Sequence, residues 1–268
     1  MLVSKNLNVN RGIVSTMIEK TICVTGASRG LGQALAKTYA KQAKQIHLLG
    51  RDKKALTDTQ QQCINTGSDA YIHACDVRQT KSLTNLIQSI DTQHSIDCMI
   101  VNAGISESTL GYSDDSIIMD TNLTSAIATI QAILPSMLKR RRGRIMVVSS
   151  LVAFLPSLPS ANAYHTSKQA LLNYTRSLAL IHQNTGLTIQ CICPGFITTQ
   201  MTQSHRFPML GLMSPEQAAN RIVKLSQRKK TLLIFPLYLY WITWLLSFIP
   251  HTILDYIDKQ YSKSPIKD

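Results

Sequence analysis

Along this 268-residue chain, seven short runs of strand-forming residues alternate with longer runs of helical periodicity, and no other feature limits the possible folds as severely. The strand runs fall at 21–25, 45–49, 70–75, 97–101, 144–149, 188–192 and 232–235. Helical runs between them include 31–43, 53–65, 80–92, 115–138, 163–183 and 215–227, and Ser214-Pro215-Glu216 supplies an N-cap and first turn for the last. Strands separated by helices return parallel to one another, so the pattern implies a parallel sheet with helices packed on both faces. Hydrophobic residues at 44% against 16% charged provide apolar surface for those layers, and no repeat or low-complexity linker divides the chain.

Because crossovers between parallel strands are right-handed, the expected α/β product is a doubly wound, Rossmann-type, seven-stranded sheet whose ligand crevice lies outside the carboxyl ends of the strands. Residues 17–236 are assigned to this domain, residues 237–268 to a hydrophobic helix and basic tail, and residues 1–16 to a flexible arm. The arm carries two basic residues but lacks the apolar stretch of a secretory signal. It reads as a loose arm, an over-extended start ahead of Met17, or a weak organellar signal, and a cytoplasmic location is expected.

Lysine and arginine outnumber aspartate and glutamate by 28 to 15, a formal charge of +13 that favours anionic partners. The dense basic runs, 139–144 and 228–230, have no interleaved aromatic residues to stack on bases, so they read as solvated surface and no nucleic-acid partner is assigned. Six cysteines, at 23, 63, 75, 98, 191 and 193, form no CxxC pair or zinc-ligand pattern. They read as reduced core residues, with Cys191 and Cys193 on one face of a strand, and no metal is expected.

Thr25-Gly26-Ala27-Ser28-Arg29-Gly30-Leu31-Gly32 joins the first strand to the first helix. Glycines there permit a tight turn and close approach of backbone N–H groups to a pyrophosphate, although a glycine cluster alone also serves as a plain turn. Tyr164 and Lys168 stand four apart on a helical run and therefore share a face. An ammonium near a phenol favours the phenolate, and an oxidised nicotinamide adds to the effect, so the expected phenol pKa lies below its ordinary value near 10. Such a tyrosine exchanges a proton with a substrate oxygen.

The ordered set of TGxxxGxG loop, Asn102-Ala103-Gly104, Ser150, Tyr164-x-x-x-Lys168 and Pro194-Gly195 resembles the short-chain dehydrogenase/reductase family over roughly residues 20–235. The resemblance implies NAD(P)(H)-dependent transfer of a hydride between nicotinamide and a carbonyl or alcohol carbon. Tyr164 would be the acid/base, Ser150 the donor that holds the reacting oxygen, and Asn122 the holder of a water that links Lys168 to solvent, or else a polar helix residue that serves only locally. Lys168 would also bond the nicotinamide ribose. Gly26, Ser28, Arg29, Gly30, Leu31 and Gly32 would cradle the pyrophosphate. Asp76 would accept from the adenine amino group with Val77 beside the ring, or else only cap its loop. Asn102 would brace the sheet while Ala103 and Gly104 let the cofactor pass. Pro194, Gly195, Ile197 and Thr199 would fix the nicotinamide. The interval from Ser150 to Tyr164 is about one residue longer than this pattern and contains Pro156 and Pro159.

After the second strand the chain has Gly50-Arg51 where an NAD-preferring member needs a carboxylate. Arg51 and Arg29 suit a 2′-phosphate, so NADP(H) is favoured over NAD(H); the alternative is two ordinary surface charges. Residues 200–213 read as a substrate lid whose methionines and Phe207 either suit a small hydrophobic carbonyl or alcohol substrate or serve ordinary packing. Residues 232–249 are almost unbroken in apolarity, but Pro236 leaves a helix of about 13 residues, short of the roughly 20 that span a bilayer. Peripheral membrane contact through 237–257 is the first reading; burial over the substrate pocket or in a homo-oligomer interface is the second. A non-catalytic cofactor-binding or interaction protein on this fold is the competing class, and it predicts damage to Tyr164, Lys168 or Ser150, of which there is none.

Overall fold

The computed structural model describes residues 20–107, 114–155, 163–199, 211–246, 248, 249 and 253; the expected arm at 1–16, the Pro156–Pro159 segment, most of the expected lid and most of the tail lie outside them. Seven strands form one sheet: β1 (Thr21–Thr25), β2 (Gln45–Gly50), β3 (Asp69–Ala74), β4 (Cys98–Val101), β5 (Gly143–Val148), β6 (Leu187–Pro194) and β7 (Leu232–Phe235). Their order is β3-β2-β1-β4-β5-β6-β7 and every pairing is parallel. The chain winds outward from β1 in one direction and from β4 in the other, so the crevice between their carboxyl ends is the switch point of the fold.

Helices α1 (Gly30–Ala40), α2 (Lys53–Ile64) and α7 (Pro215–Ser226) cover one face through Leu35, Leu56 and Ile222. On the other face lie α3 (Thr80–His94), α5 (Ser125–Lys139) and α6 (Ala163–Ile181), through Ile87, Ile130 and Leu171. Strands β1 and β4 are buried at every position, as a strand covered on both faces must be. Ser214 caps α7 reciprocally: its Oγ accepts from Gln217 N at 3.1 Å and its own N–H donates to Gln217 Oε1 at 3.0 Å.

The single helix expected at 115–138 is interrupted. A short α4 (Asp115–Met119) leads through a π-helical turn at Asp120–Thr124 into α5. Asn122 sits in that turn, tied in both directions to the backbone of Ile105, so a tertiary bond rather than local propensity accompanies the extra residue in the turn. The segment Asp115–Lys139 has the length and hydropathy of a membrane span, but half of its apolar window is buried against the sheet.

The basic run at 139–144 is spent on structure. Arg140 Nη1 donates to Asp91 Oδ2 at 2.9 Å, Arg142 Nη2 to Asp97 Oδ1 at 2.8 Å, and Arg144 to Gln190 Oε1 at 3.0 Å. Asp97 in turn accepts from the N–H groups of Lys20 and Thr21, so the run pins the α5–β5 corner to the start of β1.

The final helix, α8 (Leu237–Leu246), rests on a 3₁₀ turn at Leu151–Phe154, where Tyr240 meets Phe154 edge to face at 5.0 Å. Leu239 and Thr243 are its buried residues, while Leu237, Tyr238, Trp241, Trp244 and Leu245 are exposed. Ten residues rise only about 15 Å, half the thickness of a bilayer core.

Asp91 is only 8% exposed, so removing Arg140 leaves a carboxylate with little water to replace its partner. Arg140→Ala is expected to lower the unfolding free energy by about 2 kcal/mol in urea titrations. Arg142→Ala, at a side chain 57% exposed, should cost under about 1 kcal/mol. Equal losses in the two variants would contradict this account.

Candidate active site

The loops after β1 to β6 and one face of α8 enclose a cavity of about 1180 Å³. Every residue expected from the sequence to bind or react lines it except Asn122. The glycine loop is shaped by contact as well as by conformation. Gly26 and Gly30 have φ of +68° and +56°, and a Cβ on Gly32 would lie 2.1 Å from the Gly26 carbonyl oxygen. Among the described residues no side chain caps the N-terminus of α1, and its first residues line the cavity, where their N–H groups suit an anionic group.

Asn102 ties this loop to the sheet. Its backbone N–H donates to Thr25 Oγ1 at 2.9 Å and its Nδ2 to the carbonyls of Thr25 and Gly26 at 3.1 and 3.3 Å. That is the bracing expected of it. Ala103 passes so near Gly26 that a Cβ on the glycine would sit 2.9 Å from Ala103 Cα. Across the loop, a Cβ on Gly30 would meet Thr199 Cγ2 at 3.2 Å, which brings the turn after β6 against the glycine turn.

Two aspartates in the cavity wall are hydrogen-bonded to arginines. Asp76 is gripped by Arg78, whose Nη2 donates to Oδ2 at 2.6 Å and whose backbone N–H donates to Oδ1 at 3.0 Å. Arg78 holds the Asp76 carboxyl below the usual carboxylate range. Asp52, which no motif marks, lies in the cavity wall with Arg29 and Arg51. Its oxygens accept from Ala55 N at 3.0 Å, as the N-cap of α2, and from Arg29 Nη2 at 3.4 Å. The helix-start pattern held the missing signal, because an aspartate three residues before Ala55 is a cap.

At the other end, Ser150, Tyr164 and Lys168 converge. The Ser150 side chain stands close enough to the Tyr164 phenol to oppose part of the rise in its pKa, and its hydroxyl accepts from Val152 N at 3.3 Å. Its neighbour Ser149 is buried and donates to the Lys168 carbonyl at 2.8 Å, which leaves Ser150 as the serine beside the phenol. Lys168 Nζ lies 5.8 Å from the centre of the Tyr164 ring and donates to the Val148 carbonyl at 3.0 Å. A Cβ on Gly104 would stand 3.3 Å from that Nζ, so the glycine gives the lysine room.

The expected lowering of the phenol pKa is not what the protein alone produces. Burial raises the Tyr164 pKa, the Ser150 side chain opposes the rise, and the negative charge of Glu107 adds to it. The lysine responds instead: burial pulls Lys168 down to about 8 from 10.5, against a small upward push from Cys191 and Cys193. Glu107, unmarked by any motif, accepts from the Tyr164 backbone N–H at 3.3 Å and so meets the start of α6 while facing the cavity.

Asn122 is fully buried, and its side chain is committed within the protein. Oδ1 accepts from Ile105 N at 2.8 Å; Nδ2 donates to Ile105 O at 2.9 Å and to Ser167 Oγ at 3.1 Å. That side chain fastens the loop after β4 to the helix turn that carries Lys168.

A family model described as short chain dehydrogenase matches residues 20–208. Over 247 residues the chain is 31% identical to a protein of Myxococcus xanthus named uncharacterized oxidoreductase, covering 90% of this chain and 97% of that one. It is 34% identical over 227 residues to the ketoacyl reductase HetN of a Nostoc species, covering 81% of this chain and 79% of the relative. A solved 3-oxoacyl-[acyl-carrier protein] reductase of Brucella melitensis with bound NAD aligns with a TM-score of 0.70 at 25% identity, over 82% of this chain and 90% of its own.

Lys168 carries a folding cost that a neutral side chain escapes. Its pKa is lowered on folding, so the unfolded chain keeps the proton longer and stability rises with pH between about 8 and 10.5. At pH 7 the full penalty applies, roughly 3 kcal/mol before the bond to Val148 is credited. Lys168→Met is therefore expected to be about 1 kcal/mol more stable than the natural chain at pH 7. That advantage should reverse by pH 10.5, as read from urea midpoints at both pH values. A variant less stable at pH 7, with a gap that ignores pH, would refute this.

Proposed function

Since this chain belongs to the short-chain dehydrogenase/reductase family of oxidoreductases, we propose that it reduces a hydrophobic ketone to a secondary alcohol with NADP(H), at a membrane surface on the cytoplasmic side. The observation that carries the reading is the convergence of Ser150, Tyr164 and Lys168 at the apolar end of a cavity whose opposite end carries an uncapped helix terminus and two arginines.

The glycine turn, the open N–H groups of α1 and the close approach of Ala103 and Thr199 form a cradle that fits a dinucleotide. When bound, the nicotinamide supplies the hydride. The chain's own residues handle the oxygen and its proton. Ser150 orients the carbonyl oxygen through its hydroxyl, and Tyr164 transfers the phenol proton to it. A phenol with a raised pKa is protonated at neutral pH, which is the form reduction consumes. Lys168, held on the Val148 carbonyl beside the ring, stabilises the phenolate left behind. Asn122 acts as a positioning residue, because it locks the Ser167–Lys168 turn to the β4 loop.

Preference for NADP(H) over NAD(H) rests on Arg29 and Arg51 in the cavity wall, with the Asp52 carboxylate already occupied as a helix cap. The Brucella neighbour was solved with NAD, so the arginines bear that part of the reading. Leu151, Val152, Leu155, Leu239, Ile242 and Leu246 line the substrate end, which suits an apolar substrate. The ketoacyl reductase relative points to the same class of carbonyl.

Oxidation of NADPH is expected with a panel of acyl, steroid, retinoid and sphingoid ketones, and Tyr164→Phe should reduce turnover at least about 100-fold. Arg51→Ala should raise the KM for NADPH about tenfold and leave that for NADH nearly unchanged. Failure of every carbonyl to consume cofactor would defeat the proposal. Glu107→Gln retains an acceptor for the Tyr164 N–H but removes the charge that raises the phenol pKa. The pH at which alcohol oxidation rises should therefore shift downward, and an unchanged profile would remove Glu107 from the account.

A further inference from the structure

We propose that α8 is a wall shared by the active-site cavity and an anionic membrane surface, through which a membrane-resident, long-chain carbonyl compound enters without passing through water. The inference rests on the reading of the site as a carbonyl reductase and adds the source of its substrate and the route it takes.

Leu239, Ile242, Thr243 and Leu246 of α8 line the cavity that holds Tyr164 and Ser150. Ile242, itself 43% exposed, lines the cavity beside the exposed, non-lining Trp241, so chamber wall and outer surface adjoin on this helix. The outward positions continue the apolar character: Leu237, Trp241, Leu245 and Phe248 are each more than half exposed. No aspartate, glutamate, lysine or arginine occurs from 231 to 254. A continuous apolar face of this kind is rarely left to water.

Three observations select a membrane surface as the occupant. Trp241, Trp244 and Phe248 form an edge-to-face ladder with centroids 5.7 and 4.8 Å apart on the exposed side, and tryptophan belongs at the headgroup boundary. The ten-residue helix is too short to cross, so it lies in the interface plane. The chain's charge of +13 draws it to acidic headgroups. Docked in this way, the outer surface of the helix meets acyl chains while the adjoining Ile242 lines the cavity. The exit from the bilayer and the entrance to the cavity then coincide.

The two tryptophans of the chain both lie on α8, so intrinsic fluorescence reports on this helix alone. Full-length protein is titrated with vesicles of phosphatidylcholine and of phosphatidylcholine mixed with phosphatidylglycerol, with and without brominated acyl chains. A blue shift and bromine quenching are expected with the anionic vesicles, weakening as salt is added. NADPH oxidation is then compared for a water-soluble short-chain ketone and a long-chain ketone embedded in the vesicles. Trp241→Glu combined with Leu245→Glu alters outward positions that do not line the cavity. This variant should keep its turnover of the soluble ketone, which also reports correct folding, and lose at least about tenfold on the embedded one.

Three results would overturn the proposal: emission indifferent to both vesicles, a blue shift that follows protein concentration without lipid because a second copy covers the face, or equal turnover of the embedded ketone by variant and natural protein. Turnover of neither ketone by the natural protein, with the vesicle response intact, would sink the carbonyl-reductase reading and the entry route with it, leaving surface docking as a separate result.

Discussion

Parallel pairing forces the carboxyl ends of all seven strands to one edge of the sheet, and the rest of the molecule is arranged around that constraint. The glycine turn follows β1, Arg51 follows β2, Asp76 follows β3 and Asn102 follows β4. Ser150 comes after β5, Pro194 closes β6, and α8 follows β7. Residues up to 220 positions apart in the chain thereby meet around one cavity. The division of β1 from β4 at the middle of the sheet opens the crevice, and Asn102 stops it from spreading by holding the end of β4 to the carbonyls of Thr25 and Gly26.

Within that frame the reacting end is a place where stability is given up for chemistry. A lysine only 4% exposed, with a pKa near 8 and one backbone carbonyl as acceptor, is an unfavourable occupant of a protein interior. Its neighbours are organised to keep it there: Gly104 leaves space, Ser149 holds its backbone, and Asn122 anchors the adjoining Ser167. The π-helical turn belongs to the same arrangement, since it carries Asn122 to Ile105 at the mouth of the β4 loop. Glu107 completes it by meeting the first turn of α6 and raising the pKa of the phenol.

The C-terminal helix has a double character that accounts for its unusual composition. One side is constrained by close packing: a Cβ on Gly195 would stand 2.9 Å from Pro236 and 3.2 Å from Leu239. The other side has no such constraint among the described residues and is nevertheless apolar. One face of this segment thus lines the cavity, and the other is apolar and exposed.

Order and periodicity sufficed for the sheet and for the expected helices other than the interrupted one at 115–138, and motif spacing picked out Ser150, Tyr164 and Lys168, which the fold brings to one cavity, because hydrophobic alternation and motif spacing are local properties written directly into the chain. Spacing also placed tyrosine and lysine on one helical face. Which way their pKa values move was decided elsewhere, by burial and by Glu107, 57 residues distant from Tyr164. The engagement of Asp76 by Arg78, the entry of Asp52 into the cavity wall and the commitment of Asn122 to Ile105 likewise arise only when separate loops converge. A sequence fixes what each side chain can donate, accept or titrate; only the folded arrangement determines which partner reaches it first and how much water is left around it.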